Sequence, residues 1–510
     1  MSNDPTITPR RQWAIVVVGV LLASSMFAGC AVGPDFDSPP PPDAKAYTPE
    51  PLPGRTASAG DGGAQAFVMD KDVPARWWTY YRSDALDALI DGALKASPSL
   101  DAAKAALRQA QENVYAAQGG FFPSLSGSAS ATREKSSGAS FGIPGLSSLF
   151  SVASTSVSVS YTPDIFGGTR RQVESDQAAA DYEHFELAAA YLTLTSNVVT
   201  SAVQEASLRA QIAATEQIID IESHELDVLQ QQLALGGVAG TAVLAQQATL
   251  AQSRAALPPL QKQLAQSRYQ LAVLAGRFPS EDVGATFALS QMTLPRDLPV
   301  SLPSKLVAQR PDIRAAEAQL HEASANIGIA TANELPQISL TGSYGSTASS
   351  PGNLLSAGTG VWSIGGSVAQ TIFDGGELLH KRRAAVAAYD EAAAQYRSTV
   401  LSAFQDVANA LRALQSDADA LNADIAAENA SAQSLSLSRQ QFQLGAITYT
   451  ALLNAEQSYQ QALLTRVQAE AARYSDTAVL FQALGGGWWN EDADLVDPAK
   501  PDRWAISLGH

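Results

Sequence analysis

Four stretches of the chain alternate strictly between small hydroxylated and apolar positions. Ser124, Ser126, Ser128 and Ser130 alternate with Leu125, Gly127, Ala129 and Ala131. Ser156, Ser158 and Ser160 alternate with Val157, Val159 and Tyr161. Ser339, Thr341 and Ser343 alternate with Ile338, Leu340 and Tyr344, and Trp362, Ile364, Gly366 and Val368 share one parity. A period of two predicts strands with one apolar and one hydroxylated face, here at about 123–132, 151–163, 336–346 and 361–372. Each is roughly ten residues, the length of a tilted transmembrane strand. The strands of a soluble sandwich alternate too. Four strands separated by long helical stretches make a poor sandwich.

Between the strands the period changes. Residues from about 169 to 235 contain no proline, and as one helix they would extend ~100 Å, against a mean helix of about 11–12 residues. Ile212, Ile219, Leu226 and Leu233 recur every seven positions, a coiled-coil-like seam. A glycine-containing turn then leads to a return helix at about 241–275. A second long helix at about 377–444 and a return helix at about 449–484 repeat the arrangement.

The repetition is a tandem duplication. The phrase DIFGG at 164 returns as TIFDGG at 371, placing Phe373 207 positions after Phe166. Pro98 to Leu107 aligns with Pro311 to Leu320 at an offset of 213, which also carries Pro123 onto Pro336. Leu235-Gly236 aligns with Leu444-Gly445 at an offset of 209, along with Thr241, Leu244 and Gln247 on Thr450, Leu453 and Glu456. The predicted layout is a signal segment at 1–29, an anchor and extended tether at 30–66, a first repeat at 67–275, a joint at 276–307, a second repeat at 308–485 and a tail at 486–510. Glycine lets the backbone bend where a strand becomes a helix. Phe166, Gly167, Gly168, Phe373, Gly375 and Gly376 are therefore read as hinges, not phosphate cradles. Pro123 and Pro336 mark the reverse passages, where a helix has to stop.

Four strands cannot close a barrel, and an open sheet edge cannot face lipid. Outer-membrane barrels begin at eight strands. If these strands span a membrane, copies of the chain have to share the wall.

The start of the chain bears on location. Arg10 and Arg11 precede an apolar run from Trp13 to Phe27, then Ala28-Gly29-Cys30. This has the form of a secretory signal, and its small-small-Cys ending resembles a lipobox in which Cys30 becomes a lipidated N-terminus. An ordinary signal beside an ordinary buried cysteine is the alternative. Cys30 is the only cysteine, so there is no disulfide framework and no thiolate metal site. The formal net charge of −17, from 33 basic and 50 acidic residues, disfavours nucleic acid as a partner. It fits a solvated surface first.

The residues resemble the TolC/NodT-type outer-membrane efflux lipoproteins, the outer-membrane factors of tripartite RND-type pumps. Cys30 to Phe36, CAVGPDF, looks like the lipidated start of that family. Trp77-Trp78 with Asp84, Leu86 and Leu89 looks like its first block. Arg310 to Gly345, RPDIRAAEAQLHEASANIGIATANELPQISLTGSYG, is close to its signature, and the AlaLeuGlyGlyGlyTrp ending at 483–488 also fits. The resemblance implies a homotrimer with a twelve-stranded barrel continued by a twelve-helix periplasmic tunnel. It implies a mixed equatorial belt from 37–95, 276–307 and 485–510, no cofactor beyond a lipid on Cys30, and an inner-membrane pump and periplasmic adaptor as partners. It maps the tunnel tips and adaptor contact onto Gly236, Gly237, Ala239 and Gly240, and onto Gly445, Ala446, Ile447 and Thr448. Relatives carry acidic rings near the second tip. Here Ser434 to Leu444 holds no acid, only Arg439, so no gate residue is assigned.

Three rivals remain at this point. An enzyme would need a catalytic constellation, but His184, His224, His321, His380 and His510 are scattered and none has metal-ligand spacing. Glu222, Glu225 and Asp227 near the first tip read as a solvated helix face. A structural coiled-coil lipoprotein would not need strand pairs bracketing each long helix. A type I protein-secretion channel would use the same architecture as a small-molecule conduit, and the lipobox favours the latter.

Overall fold

The computed structural model describes residues 31–59, 63–137 and 147–490. The elements run β1 (Ala66–Met69), α1 (Asp84–Ala96), α2 (Pro98–Gln118), β2 (Ser124–Ser137), β3 (Ser147–Tyr161), α3 (Gly168–Ala234) and α4 (Gly240–Leu274). They continue with β4 (Asp297–Val300), α5 (Pro303–Gln309), α6 (Pro311–Asn333), β5 (Gln337–Ala348), β6 (Gly360–Ala369), α7 (Glu377–Gln443) and α8 (Tyr449–Ala483). The chain is mostly helical, and α3 and α7 have 67 residues each. Among the described residues no helix is long and apolar enough to cross a membrane.

By contacts the chain forms two compact units, and each draws on both halves of the duplication. Of the described residues, the first takes 31–38, 109–137, 147–181 and 317–395. It holds a four-stranded antiparallel sheet in the order β2-β3-β5-β6. The two hairpins are thus joined by pairing of β3 with β5. Two strands differ in extent from the alternation. β2 runs on to Ser137 and β3 starts at Ser147, because Arg133, Glu134 and Lys135 pair with Ser151, Phe150 and Leu149. Backbone ladder bonds carry these strands past the point where the hydropathy pattern ends.

Of the described residues, the second unit takes 39–59, 63–108, 182–316 and 396–490. Its core gathers on Trp77, Trp78 and Tyr81, all fully buried and supplied by one short 3-10 turn. Trp77 stacks on Phe481 with ring centroids 5.1 Å apart, and the Tyr81 hydroxyl donates to the Tyr474 carbonyl at 2.7 Å. Burying such rings supplies the largest apolar areas available to a core. The end of the predicted tether belongs to this core as well. Gln65 is fully buried and donates to the Pro295 carbonyl and Thr477 Oγ1. Ala59 is buried, and its carbonyl accepts from the Arg473 guanidinium at 3.2 Å. β1 pairs in parallel with β4. The last part of the segment expected as an extended tether up to 66 is held against this unit by buried Thr56, Ala59 and Gln65.

The signature arginine has a structural task in this unit. Arg310 donates to the carbonyls of Ala403 and Ala483 at 3.3 and 3.2 Å, and to Asp312 and Asp406 at 2.7 and 3.0 Å. Ala483 ends α8, where carbonyls lack helical partners and a cation is favourable.

The heptad spacing of α3 holds, but its buried line is displaced. Leu208, Thr215, Glu222 and Leu229 are 1–4% exposed. Ile212, Ile219 and Leu226 are only half-buried, and Leu233 is 40% exposed. Two of the four true seam residues are polar and bond within the unit, which hides the seam from a hydropathy reading.

Candidate functional site

The sheet presents two chemically distinct faces. Opposite β2 and β3, Ser128 meets Ser156 at 2.9 Å and Ser130 meets Ser154 at 2.8 Å. Between β5 and β6, Ser339 meets Ser367 at 2.7 Å and Ser343 meets Ser363 at 2.8 Å. The other face carries Leu125, Val157, Val159, Leu340, Tyr344, Trp362, Ile364 and Val368, each 41–82% exposed. Cross-strand register aligns them: Leu125 with Val159, Val157 with Tyr344, Tyr344 with Trp362. An apolar surface of this extent is not left to water in a soluble chain.

The passages between sheet and long helices are built alike. Gly167 has φ +80, and Gly375 and Gly376 have φ +69 and +94, a region closed to most side chains. Each phrase also carries an acid the sequence reading passed over. The Asp164 carboxylate accepts from the amides of Thr169 and Arg170 at 2.9 and 3.1 Å. Asp374 accepts from Gly376 and Leu378 at 2.8 and 2.9 Å. These bonds, from Leu378 first and then Gly376, hold the Asp374 carboxyl below its ordinary pKa. Both acids satisfy orphan amides at a helix start; an Asp before a long apolar-periodic run was the available signal. Gly168 opens α3, Phe166 is half-buried and Phe373 is exposed. Pro123 and Pro336 stand immediately before β2 and β5.

At the hairpin ends both turns use one hydrogen-bond scheme. The amide of Gly236 donates to Leu233 and that of Gly237 to Gln232, at 3.0 and 2.7 Å. The amide of Gly445 donates to Phe442 and that of Ala446 to Gln441, at 2.9 and 2.8 Å. This is the Schellman closure, with Gly236 and Gly445 at φ +74 and +73. Ala239 precedes α4, Gly240 opens it, and Ile447 is half-buried. Thr448 caps α8 by accepting from the Ala451 amide at 3.3 Å. Leu235, Leu244 and Leu444 are 86%, 65% and 83% exposed beside these turns.

The acids near the first tip are not a solvated face. Glu222 is 1% exposed and accepts from Ser253 and Gln460. Glu225 pairs with Arg439 at 3.0 Å, and Arg439 also reaches Glu456 at 3.5 Å. Glu456 is 2% exposed. Burial, then a hydrogen bond and charge repulsion from Glu225, push its carboxyl up to about 9, against the pull of Arg439. Burial raises Glu222 as well. Only Asp227 lies on solvent. Single-helix periodicity could not find this cluster, because its members come from α3, α4, α7 and α8. Among the described residues no group of His, Cys, Asp and Glu is arranged to hold a metal. Cys30 lies outside the described residues.

The model of outer membrane efflux proteins matches residues 89–277 and 302–486, well over half of the chain. The chain belongs to the outer membrane efflux protein family. It is 30% identical over 426 residues to the pyoverdine export outer membrane protein OpmQ of Pseudomonas aeruginosa, covering 82% of this chain and 89% of that protein. It is 27% identical over 464 residues to the cation efflux system protein CusC of Escherichia coli O6:H1, covering 90% and 96%. The solved outer-membrane channel OprN superposes with a TM-score of 0.80 at 27% identity, over 90% of this chain and all of that one. The protein is thus an outer-membrane channel of a tripartite efflux pump, a passive conduit and not an enzyme. Its place is the outer membrane.

Proposed function

We propose that three copies of the channel close one twelve-stranded barrel, continued by a twelve-helix tunnel, through which small molecules leave the cell. The observation that carries this is the four-stranded sheet whose outer strands, β2 and β6, have no further partner among the described residues. Open edges are not tolerated in lipid, so β2 of one copy pairs with β6 of the next. Three such joints give an even-numbered antiparallel barrel of allowed size. The apolar face turns to lipid and the serine face to the lumen. The duplication then sets the architecture: each repeat supplies two strands, one long helix and one return helix, flanked by the joint at 276–307 and the tail at 486–510.

A periplasmic adaptor and an inner-membrane RND-type pump complete the machine, with the adaptor meeting the tips at Gly236–Gly240 and Gly445–Thr448. Small-molecule cargo is supported by relatives named for pyoverdine export and cation efflux. The segment 1–29 acts as a signal, and Cys30 carries lipid that anchors the chain beside its barrel. Buried acyl chains contribute about 0.8 kcal/mol per CH₂.

Cysteine pairs scanned along β2 and β6 test the assembly. They are expected to form disulfides between copies, giving a covalent trimer and no larger closed species. A folded monomer that keeps its sheet in the membrane would overturn the shared barrel. Intact mass of the mature protein tests the lipid, and an unmodified Cys30 would refute it.

A further inference from the structure

In the strand-bearing unit, residues Ala31 to Phe36 are held by side chains of α3 and α6. Arg171, in the first turn of α3, has a side chain only 4% exposed. Its Nε donates to the Val32 carbonyl at 3.1 Å, and its Nη2 donates to the Gly33 carbonyl at 3.5 Å and to Asp35 at 2.7 Å. Its remaining nitrogen, Nη1, donates to Glu174 at 2.6 Å. Glu174 in turn meets His321 Nε2 at 3.0 Å. The His321 ring lies flat against Phe36, centroids 4.4 Å apart and 13° from parallel.

Two glycines make the approach possible. Gly33 has φ +95, and a Cβ there would lie 2.4 Å from Gly328 Cα. A Cβ on Gly328 would lie 2.7 Å from the Arg171 side chain. The segment, the α6 backbone and the guanidinium are therefore stacked at backbone contact. A further bond, from the Val32 amide to the Phe166 carbonyl at 3.1 Å, ties the segment to the strand-to-helix passage. Gly167 in that passage abuts Ala31, since a Cβ on it would lie 2.6 Å from Ala31 Cα.

A buried guanidinium is costly without acceptors. Of Arg171's acceptors, only Glu174 comes from outside the segment. Asp35 is exposed, so its ion pair contributes little; the two backbone carbonyls carry the recognition. They are read irrespective of side chain, which leaves Gly33 and Phe36 to give the specificity.

We propose that Arg171, Glu174, His321 and Gly328 form a receiving site for the segment Ala31–Phe36, which fixes an acyl anchor on Cys30 at the strand-to-helix passage. The anchoring part rests on the lipoprotein reading above; the binding part does not. One peptide separates Cys30 from Ala31, a step of about 3.8 Å between Cα atoms. The site makes the anchor a fixed strut at the foot of the barrel wall, where the tether alone would leave it a loose leash.

The test uses the full-length mature channel in membranes, with amide exchange read by mass spectrometry and a photoreactive phenylalanine analogue replacing Phe166. In the parent, peptides covering 31–36 are expected to be protected and to crosslink to position 166. Gly33→Val changes only the segment, so the body should still assemble. It is expected to lose the crosslink and to exchange at 31–36 faster by about tenfold or more, as loss of charge-assisted hydrogen bonds implies. Arg171→Ala is expected to do the same, with partial rescue in Arg171→Lys. Unchanged protection and crosslinking in Gly33→Val, or in an assembled Arg171→Ala, would overturn the receiving site. Mass analysis of residue 30 separates the two claims: an unmodified cysteine with a protected segment would sink the anchor and keep the site.

Discussion

Ser339 Oγ and Ser367 Oγ lie 2.7 Å apart across β5 and β6, while Leu340 and Gly366, one step along, are paired on the opposite face. A single position thus separates the hydroxylated face of the sheet from its apolar face. Leu340→Arg is expected to destabilise the assembled channel by about 2–4 kcal/mol if the site is near mid-bilayer. Ser339→Arg should be tolerated, because a long cation on the hydroxyl face can reach water. Urea-induced unfolding in bilayers checks the pair, and equal cost at both positions would contradict the assignment of faces.

The Asp164 carboxylate takes amide protons from Thr169 and Arg170 and also accepts from the Arg170 side chain at 3.0 Å. Asp164→Ala is expected to cost about 0.5–2 kcal/mol, the usual value of a lost helix cap. The loss should be local. Amide exchange should accelerate over the first turn of α3 and leave the hairpin end of that helix unchanged.

The strands were legible because one face is apolar and one hydroxylated, which fixes both period and register-compatible parity. The long helices were legible from missing prolines and the matched Leu-Gly turns. Three features were not. The strand ends at Ser137 and Ser147 follow ladder bonds, to which side-chain polarity gives no clue. The seam of α3 runs through Thr215, whose hydroxyl turns back onto the Gln211 carbonyl of the same helix, and Glu222, whose partners Ser253 and Gln460 come from distant segments. The site at Arg171 depends on carbonyls 138 and 139 positions away. In each case the deciding interaction is made by backbone, or by polar groups whose partners only the fold supplies.

Glu456 gives the helical hairpins a pH dependence whose sign can be worked out. Its carboxyl moves from the ordinary 4.5 to about 9 on folding. The folded chain therefore holds a proton that the unfolded chain has released between those values. The stabilisation is fully present below about 4.5 and is lost as pH rises through about 9. Glu222 shifts in the same direction, while Arg439 opposes the shift of Glu456. Glu456→Gln should match the parent near pH 4.5, exceed it in thermal stability at pH 9, and flatten the slope between. A parent channel that gains stability from pH 6 to 9 relative to Glu456→Gln would refute this.

The two hairpin turns are closed by the same Schellman bonds, so Gly236 and Gly445 are accounted for as caps. That shifts the search for a docking surface to the residues around them. Leu235, Leu244 and Leu444 are largely exposed there, and Ala239 and Ala446 leave the turns narrow. Exposed leucines around small residues suit close packing by a helical hairpin of a partner. Ala239→Arg and Ala446→Arg alter no cap bond that depends on a side chain, so the channel should fold and reach the outer membrane at parental levels. Efflux and crosslinking to the adaptor should both fall sharply. Glycine-to-alanine changes at 236 and 445 provide the contrast, since they strain a positive φ and should lower stability before they affect docking. If the arginine variants assemble, crosslink and export as the parent does, the tips are not where the adaptor binds. The equatorial belt expected from 37–95, 276–307 and 485–510 would then be the next to scan.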